Sequence, residues 1–134
     1  MSKTLGIFVD VESMYFSLRN RGKLDYGRLR AFWQPIGELT CAFAYGLKRK
    51  NSSGFISVLA DAGFKFVCVE NEKGIYVRML SDIIQNGADT CIICSSDPVV
   101  KDLIDCTIQE NIIMGELNIK GMETLSVPQS MVMR

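Results

Sequence analysis

Leu5-Gly6-Ile7-Phe8-Val9-Asp10-Val11-Glu12-Ser13-Met14-Tyr15 opens on an apolar run with no polar side chain before Asp10. Such a run reads as a strand without a solvent face. It stops at Asp10, and Met14-Tyr15-Phe16-Ser17-Leu18 then reads as the first turns of a helix. A carboxylate therefore stands at the carboxyl end of a buried strand, just where a helix begins. In open α/β sheets, ligands bind along that edge.

Working outward, further strands are expected at 39–45, 64–69, 90–94 and 111–114, with a short last strand at 122–127. Helices are expected at 13–21, at 24–33 with Asp25 as N-cap, at 52–62 stopped by Gly63, at 75–85, and from Ser95 to about Gln109. Residues 46–51 read as a basic loop and 71–74 as a polar turn. Strands alternating with helices at this spacing indicate βαβ units and a parallel sheet. A doubly wound order, 3-2-1-4-5 counting these strands along the chain, places the first and fourth side by side. The length of 134 residues suits one domain over 1–127, with 128–134 as a C-terminal tail.

Formal net charge is zero, so no global charge argument points to nucleic acid or membrane. The distribution is uneven. Residues 19–50 carry eight basic residues against two acids, and residues 61–134 carry eleven acids against six bases. A polarised surface or a solvated helix face would each explain this. The cysteines number five, and most sit in apolar runs. They read as small buried hydrophobes of a reducing compartment. Cys91-Ile-Ile-Cys94 lies in an expected strand, so its thiols point to opposite faces and form neither a zinc clamp nor a redox pair. Histidine is absent, which removes the commonest general base and metal ligand. Neither a signal peptide nor a membrane-spanning run is visible. A cytoplasmic protein is expected.

Asp10 ends the first strand and Asp97 follows the fourth. Adjacent strands lie about 5 Å apart, so both carboxylates could reach one divalent ion. Mg²⁺ suits such a site, because it takes a few carboxylates, keeps waters and binds phosphates. Glu12 and Asp82 are further candidate acids. Each residue has a plainer reading. Asp97-Pro98 is a near-ideal helix start. Asp10 or Ser13 could cap the first helix. Glu12 suits a first helical turn. Asp82, mid-helix, ordinarily faces solvent. Lys48, Arg49 and Lys50 form either a solvated loop or a contact to phosphates.

These residues resemble the NYN domains, nuclease-like relatives of PIN domains. Ile7-Phe-Val-Asp-Val-Glu-Ser-Met-Tyr15 is similar to the family's opening D-G-E-N-L-Y strand, and Leu24-Asp-Tyr-Gly-Arg-Leu29 to its D-Y-x-x-L segment. Ala42-Phe-Ala-Tyr45 resembles the second strand. The passage from Phe55 through Leu59 and Gly63 to Phe66 resembles the next helix-to-strand step. Lys73-Gly-Ile-Tyr-Val77 is similar to K-G-V-D-V, and Ser95-Ser-Asp-Pro-Val-Val-Lys-Asp-Leu-Ile104 to S-G-D-S-D-F-x-P-L. The resemblance covers Leu5 to about Met114.

It implies a PIN-like three-layer α/β sandwich around a mainly parallel sheet. It also implies, for active members, Mg²⁺- or Mn²⁺-dependent endoribonuclease activity on RNA. Asp10 and Asp97 match family acids and become the expected metal ligands. Glu12 and Asp82 join them as candidate catalytic residues. Ser13, Lys48, Arg49, Lys50, Ser95 and Ser96 are the candidate nucleic-acid contacts. Ser13 stands where the family has Asn, Tyr76 where it has an acid, and Val99 where it has a second acid. Two of four usual acids therefore remain. A phenol with pKa near 10 does not replace a carboxylate ligand at neutral pH.

Two readings follow. One is a metal-dependent ribonuclease with a reduced acidic centre, its basic half holding the RNA backbone. The other is a non-catalytic PIN-like module that binds RNA or a protein partner; a homodimer stays open. A phosphate-sensing receiver-like fold ranks below both, because the third strand offers no phosphoacceptor. No G-x-G-x-x-G or Walker pattern supports nucleotide binding.

Overall fold

A computed structural model of the chain describes residues 4–18, 23–47, 51–86, 90–95, 112–114 and 132–133. In chain order the elements are β1 (Thr4–Asp10), α1 (Val11–Leu18), β2 (Lys23–Leu24) and α2 (Tyr26–Trp33), then a 3₁₀ turn (Gln34–Ile36) and β3 (Glu38–Leu47). After these come α3 (Ser53–Asp61), β4 (Lys65–Val69), α4 (Glu72–Asn86), β5 (Thr90–Cys94), β6 (Ile112–Met114) and β7 (Val132–Met133).

The main sheet has five strands in the order β4-β3-β1-β5-β6. Every pair in it is parallel. The five strands expected from their apolar runs take the expected order, with the first strand of the chain in the middle. Two very short strands were not expected. β2 and β7 pair antiparallel outside the main sheet, through Lys23↔Met133 and Leu24↔Val132. Two-residue strands have no periodicity to read. The expected tail at 128–134 thus contains residues paired to the domain.

Alternation along β1 divides the core in two. Leu5, Ile7 and Val9 face a cluster with Ala42, Ala44, Ile92 and Cys94 of the neighbouring strands, covered by Met14, Leu29, Trp33 and Leu59 from α1, α2 and α3. Phe8 faces the opposite way, with Tyr45, Val67, Val69, Cys91 and Ile93, covered by Ile75, Met79 and Ile83 of α4. The result is three layers with a sheet buried on both faces, as the strands' lack of polar residues requires. Cys91 and Cys94 lie in the opposite clusters, so they do not face each other.

The helix ends follow local chemistry. Asp25 caps α2 by accepting from the Arg28 N–H at 3.1 Å, and Ser52 caps α3 by accepting from the Phe55 N–H at 3.1 Å. Gly63 ends α3 at φ +87°, a backbone conformation that side chains resist, and the Arg30 guanidinium lies where a Cβ would stand. The α4 helix begins at Glu72, three residues before the expected start at Ile75. Asn71 accepts from the Gly74 N–H at 2.9 Å, so Asn71 to Gly74 is a capped first turn. An Asn before Glu is a helix-start signal, and Gly74 obscured it. Gly46 and Leu47, expected in a loop, continue β3. The helix expected beyond Ser95, the strand expected at 122–127, residues 19–21 and residues 48–50 lie outside the described residues. Among the described residues no helix is long and apolar enough to cross a membrane.

Candidate active site at the carboxyl edge of the sheet

Asp10 closes β1, level with Tyr45 of β3. Val11 begins α1 without an intervening loop, so the strand-to-helix junction is tight. That junction leaves helix N–H groups needing acceptors. Asp10 supplies one: its Oδ1 accepts from the Ser13 N–H at 3.2 Å. Asp10 is therefore the cap of the first helix, one of the two alternatives left open by the residues alone. The Ser13 hydroxyl donates back to the Asp10 carbonyl at 3.3 Å.

The second carboxylate oxygen is held from the next strand. β5 runs parallel to β1, with Val9 level with Cys94. Ser95 follows at once, fully buried, and its hydroxyl donates to Asp10 Oδ2 at 3.2 Å. The Ser95 and Ser13 hydroxyls lie 3.3 Å apart. Asp10, only 2% exposed, is thereby oriented from both sides. The chain leaving β5 arrives at this carboxylate, and Asp97 is two residues further on. Asp97, Ser96 and Val99, like Lys48, Arg49 and Lys50, lie outside the described residues.

Glu12 occupies the first turn of α1. Its Oε2 accepts from the Leu47 N–H and from Asn51 Nδ2, each at 2.9 Å. Glu12 thus ties α1 to the end of β3. Nothing in the sequence pattern signals this, because it depends on where β3 ends relative to α1.

Asp82 does not face solvent as a mid-helix acid ordinarily does. It is buried, accepts from the Tyr45 hydroxyl at 2.8 Å, and pairs with Arg78 Nε at 3.4 Å. Its charge also reaches Cys41, whose thiol is pushed up by burial first and by Asp82 as a lesser cause. Cys41 is level with Gly6 on β1, which at 3.3 Å per residue is roughly 13 Å back from Asp10. The structure therefore brings Asp10, Ser13 and Ser95 together, sets Glu12 beside them on the β3 side, and places Asp82 under α4. Tyr76, expected from the resemblance to stand where an acid would be, packs against the cluster under α4.

Two neighbouring ionisable groups, the Cys94 thiol and the Tyr26 phenol, are buried and neutral. Burial pushes the Cys94 thiol, at the end of β5, up to about 12. Burial first, and then electrostatic repulsion from the neighbouring acidic groups, Cys94 once it ionises and Asp10 and Glu12, hold the Tyr26 phenol above its ordinary value. Neither group supplies a nucleophile at neutral pH. Among the described residues no cluster of three or more His, Cys, Asp or Glu forms. The donors converging at the edge, one carboxylate and two hydroxyls, are all oxygen. That set fits a hard cation such as Mg²⁺ or Mn²⁺ and not a thiophilic one.

The family model of the NYN domain matches residues 4–111. The crystal structure of a protein of unknown function from Vibrio parahaemolyticus is similar, with a TM-score of 0.72 at 18% identity, covering 93% of this chain and 86% of that one. At that identity the likeness concerns the fold. Glycinamide ribonucleotide transformylase 1 from Symbiobacterium toebii aligns with a TM-score of 0.44 at 9% identity, over 82% of this chain and 49% of that one, and carries no argument. No curated protein matches the chain.

Proposed function

The chain belongs to the NYN domain family, within the PIN-like nuclease superfamily, and on that premise we propose that it acts on RNA as a metal-dependent endoribonuclease with a reduced acidic centre. The observation that carries this reading is the convergence of two adjacent parallel strands on one carboxylate. Asp10 ends β1, and Ser95 reaches it from β5 at 3.2 Å, two residues before Asp97. Asp10 and Asp97 are the proposed holders of Mg²⁺ or Mn²⁺. A metal bound there would activate water and steady the leaving oxygen of a phosphodiester. Ser13 and Ser95 keep the Asp10 carboxylate in one orientation, and Lys48, Arg49 and Lys50 take the RNA backbone. The same reading puts the protein in the cytoplasm with its substrate.

Cleavage of a labelled single-stranded RNA tests it, with Mn²⁺, Mg²⁺ or EDTA, in wild type, Asp10→Asn and Asp97→Asn. Asn is as good an N-cap as Asp, so Asp10→Asn removes the charge and keeps α1. Metal-dependent cutting that both variants lose is the expected result. A folded protein that cuts at no metal concentration refutes it.

One observation favours a second reading, a non-catalytic module binding RNA or a protein partner. The other two candidate acids have structural partners, Glu12 on Leu47 and Asn51, and Asp82 on Tyr45 and Arg78. RNA binding without cleavage in the same experiment supports this alternative.

A further inference from the structure

Val11 and Met14 bury one side of α1 in the core. At helical spacing Phe16 stands roughly opposite them, and it is 62% exposed. Tyr15 beside it is 66% exposed. A ring left in water forgoes the stabilisation that burial brings. Two such rings in an eight-residue helix make a small apolar patch, next to the junction that carries Asp10.

The two rings differ in what lies beneath them. Helical side chains lean toward the helix N-terminus and cover the residues three and four places earlier. For Tyr15 these are Glu12 and Val11, the latter in the core. For Phe16 they are Ser13 and Glu12. Ser13 bonds Asp10 twice, through its N–H at 3.2 Å and its hydroxyl at 3.3 Å, and its hydroxyl lies 3.3 Å from that of Ser95. Glu12 is held towards β3, where it accepts from the Leu47 N–H and from Asn51 Nδ2 at 2.9 Å each. Of the two exposed aromatics, Phe16 is therefore the one that leans back over the candidate site. Its backbone stands about 9 Å along the helix axis from Asp10, and the lean shortens that gap.

We infer that the Phe16 ring is a stacking platform for a base of single-stranded RNA, the base that flanks the phosphodiester at Asp10. This rests on the RNA reading above and deepens it, by giving the site a contact to a base beside its contact to phosphate. The chemistry agrees. Every base has a π face, so an aromatic ring takes a base without reading its identity. Bases in a duplex are stacked on one another and offer no free face, so the platform selects single strands.

The experiment is fluorescence anisotropy of a labelled single-stranded RNA in EDTA, with wild type, Phe16→Leu, Phe16→Trp and Val77→Ala. Leu is apolar and a better helix former than Phe but has no π face, so α1 is kept, as circular dichroism checks. Phe16→Leu is expected to bind roughly fivefold to 150-fold more weakly. Phe16→Trp is expected to bind at least as tightly as wild type, with its emission quenched by RNA. Trp33 is the one native tryptophan and is buried, so that quenching reports position 16. Val77, 67% exposed on α4 across the sheet, is the control for general surface apolarity, and Val77→Ala is expected to bind as wild type does. An abasic strand of the same length keeps the phosphates and lacks every base. It is expected to bind wild type and Phe16→Leu equally.

Phe16→Leu binding the RNA as tightly as wild type would overturn the proposal, as would an equal loss in Val77→Ala or an unquenched Phe16→Trp. A loss in Phe16→Leu that is just as large on the abasic strand would overturn it too, because the effect would not pass through a base. A wild type with no RNA affinity defeats the RNA reading itself. A wild type that binds RNA without these differences defeats the platform alone, so the two failures are told apart.

Discussion

Cys94 sits one residue before Ser95, at the base of the candidate site, and its side chain is fully buried. Burial raises its thiol from 9.0 to about 12. A thiol that ionises later in the folded than in the unfolded chain stabilises the fold fully below pH 9. That contribution is lost as pH rises from 9 towards 12, because there the unfolded chain releases a proton that the folded one keeps. One proton is worth about 1.4 kcal/mol per pH unit. Integrated from pH 7.5 to 10.5, the loss assigned to Cys94 is about 2 kcal/mol. Urea denaturation of wild type and Cys94→Ala at pH 7.5, 9.0, 10.0 and 10.5 reads it directly. The alanine variant starts less stable, because a buried group is deleted, and the gap to wild type should narrow by about 2 kcal/mol by pH 10.5. Comparing the two proteins cancels the tyrosines, which titrate in both. A gap that stays constant to pH 10.5 would mean that the thiol ionises equally in both states.

Other substitutions report on other joints of the fold. Asp10→Ala removes the cap of α1 and leaves the buried Ser95 hydroxyl without its carboxylate acceptor; a loss of about 1–3 kcal/mol is expected in denaturant titration, against little for Asp10→Asn. Gly63→Ala forces a side chain into a left-handed backbone and against Arg30; thermal unfolding should show at least about 1–2 kcal/mol lost, part of it recovered when Arg30→Ala is added. Tyr45→Phe takes the hydroxyl donor from the buried Asp82 carboxylate, and chemical denaturation at pH 7 should register about 1–3 kcal/mol; an unchanged midpoint would show that Asp82 is satisfied without the Tyr45 hydroxyl.

How much was legible depended on whether a feature was local. The apolar runs ending in Asp10 and Cys94 revealed two neighbouring buried strands, because a sheet covered on both faces tolerates little else. Capping by Asp25 and Ser52 was readable for the same reason: an N-cap is a contact over three residues. Glu12's bonds to Leu47 and Asn51 were not readable. They follow from β3 running two residues past Tyr45 through a glycine that looks like a loop residue. Asp82 was misjudged because its burial depends on a tyrosine 37 residues away reaching it from another strand. Gly74 concealed the first turn of α4 behind a composition that also suits turns. Chemistry set by single residues was visible, and chemistry set by the meeting of distant elements was not.

The first strand of the chain is the middle strand of the sheet, and this has a consequence for dissection. Its two neighbours, β3 and β5, form no ladder with each other, and each is hydrogen-bonded to one outer strand. A deletion of the first ten residues would therefore not trim the domain. It would leave two separate two-stranded halves, β4-β3 and β5-β6, without a shared hydrogen bond. In the main sheet β6, by contrast, is an edge strand paired with β5 alone. The first strand works as the keystone on which both halves lean.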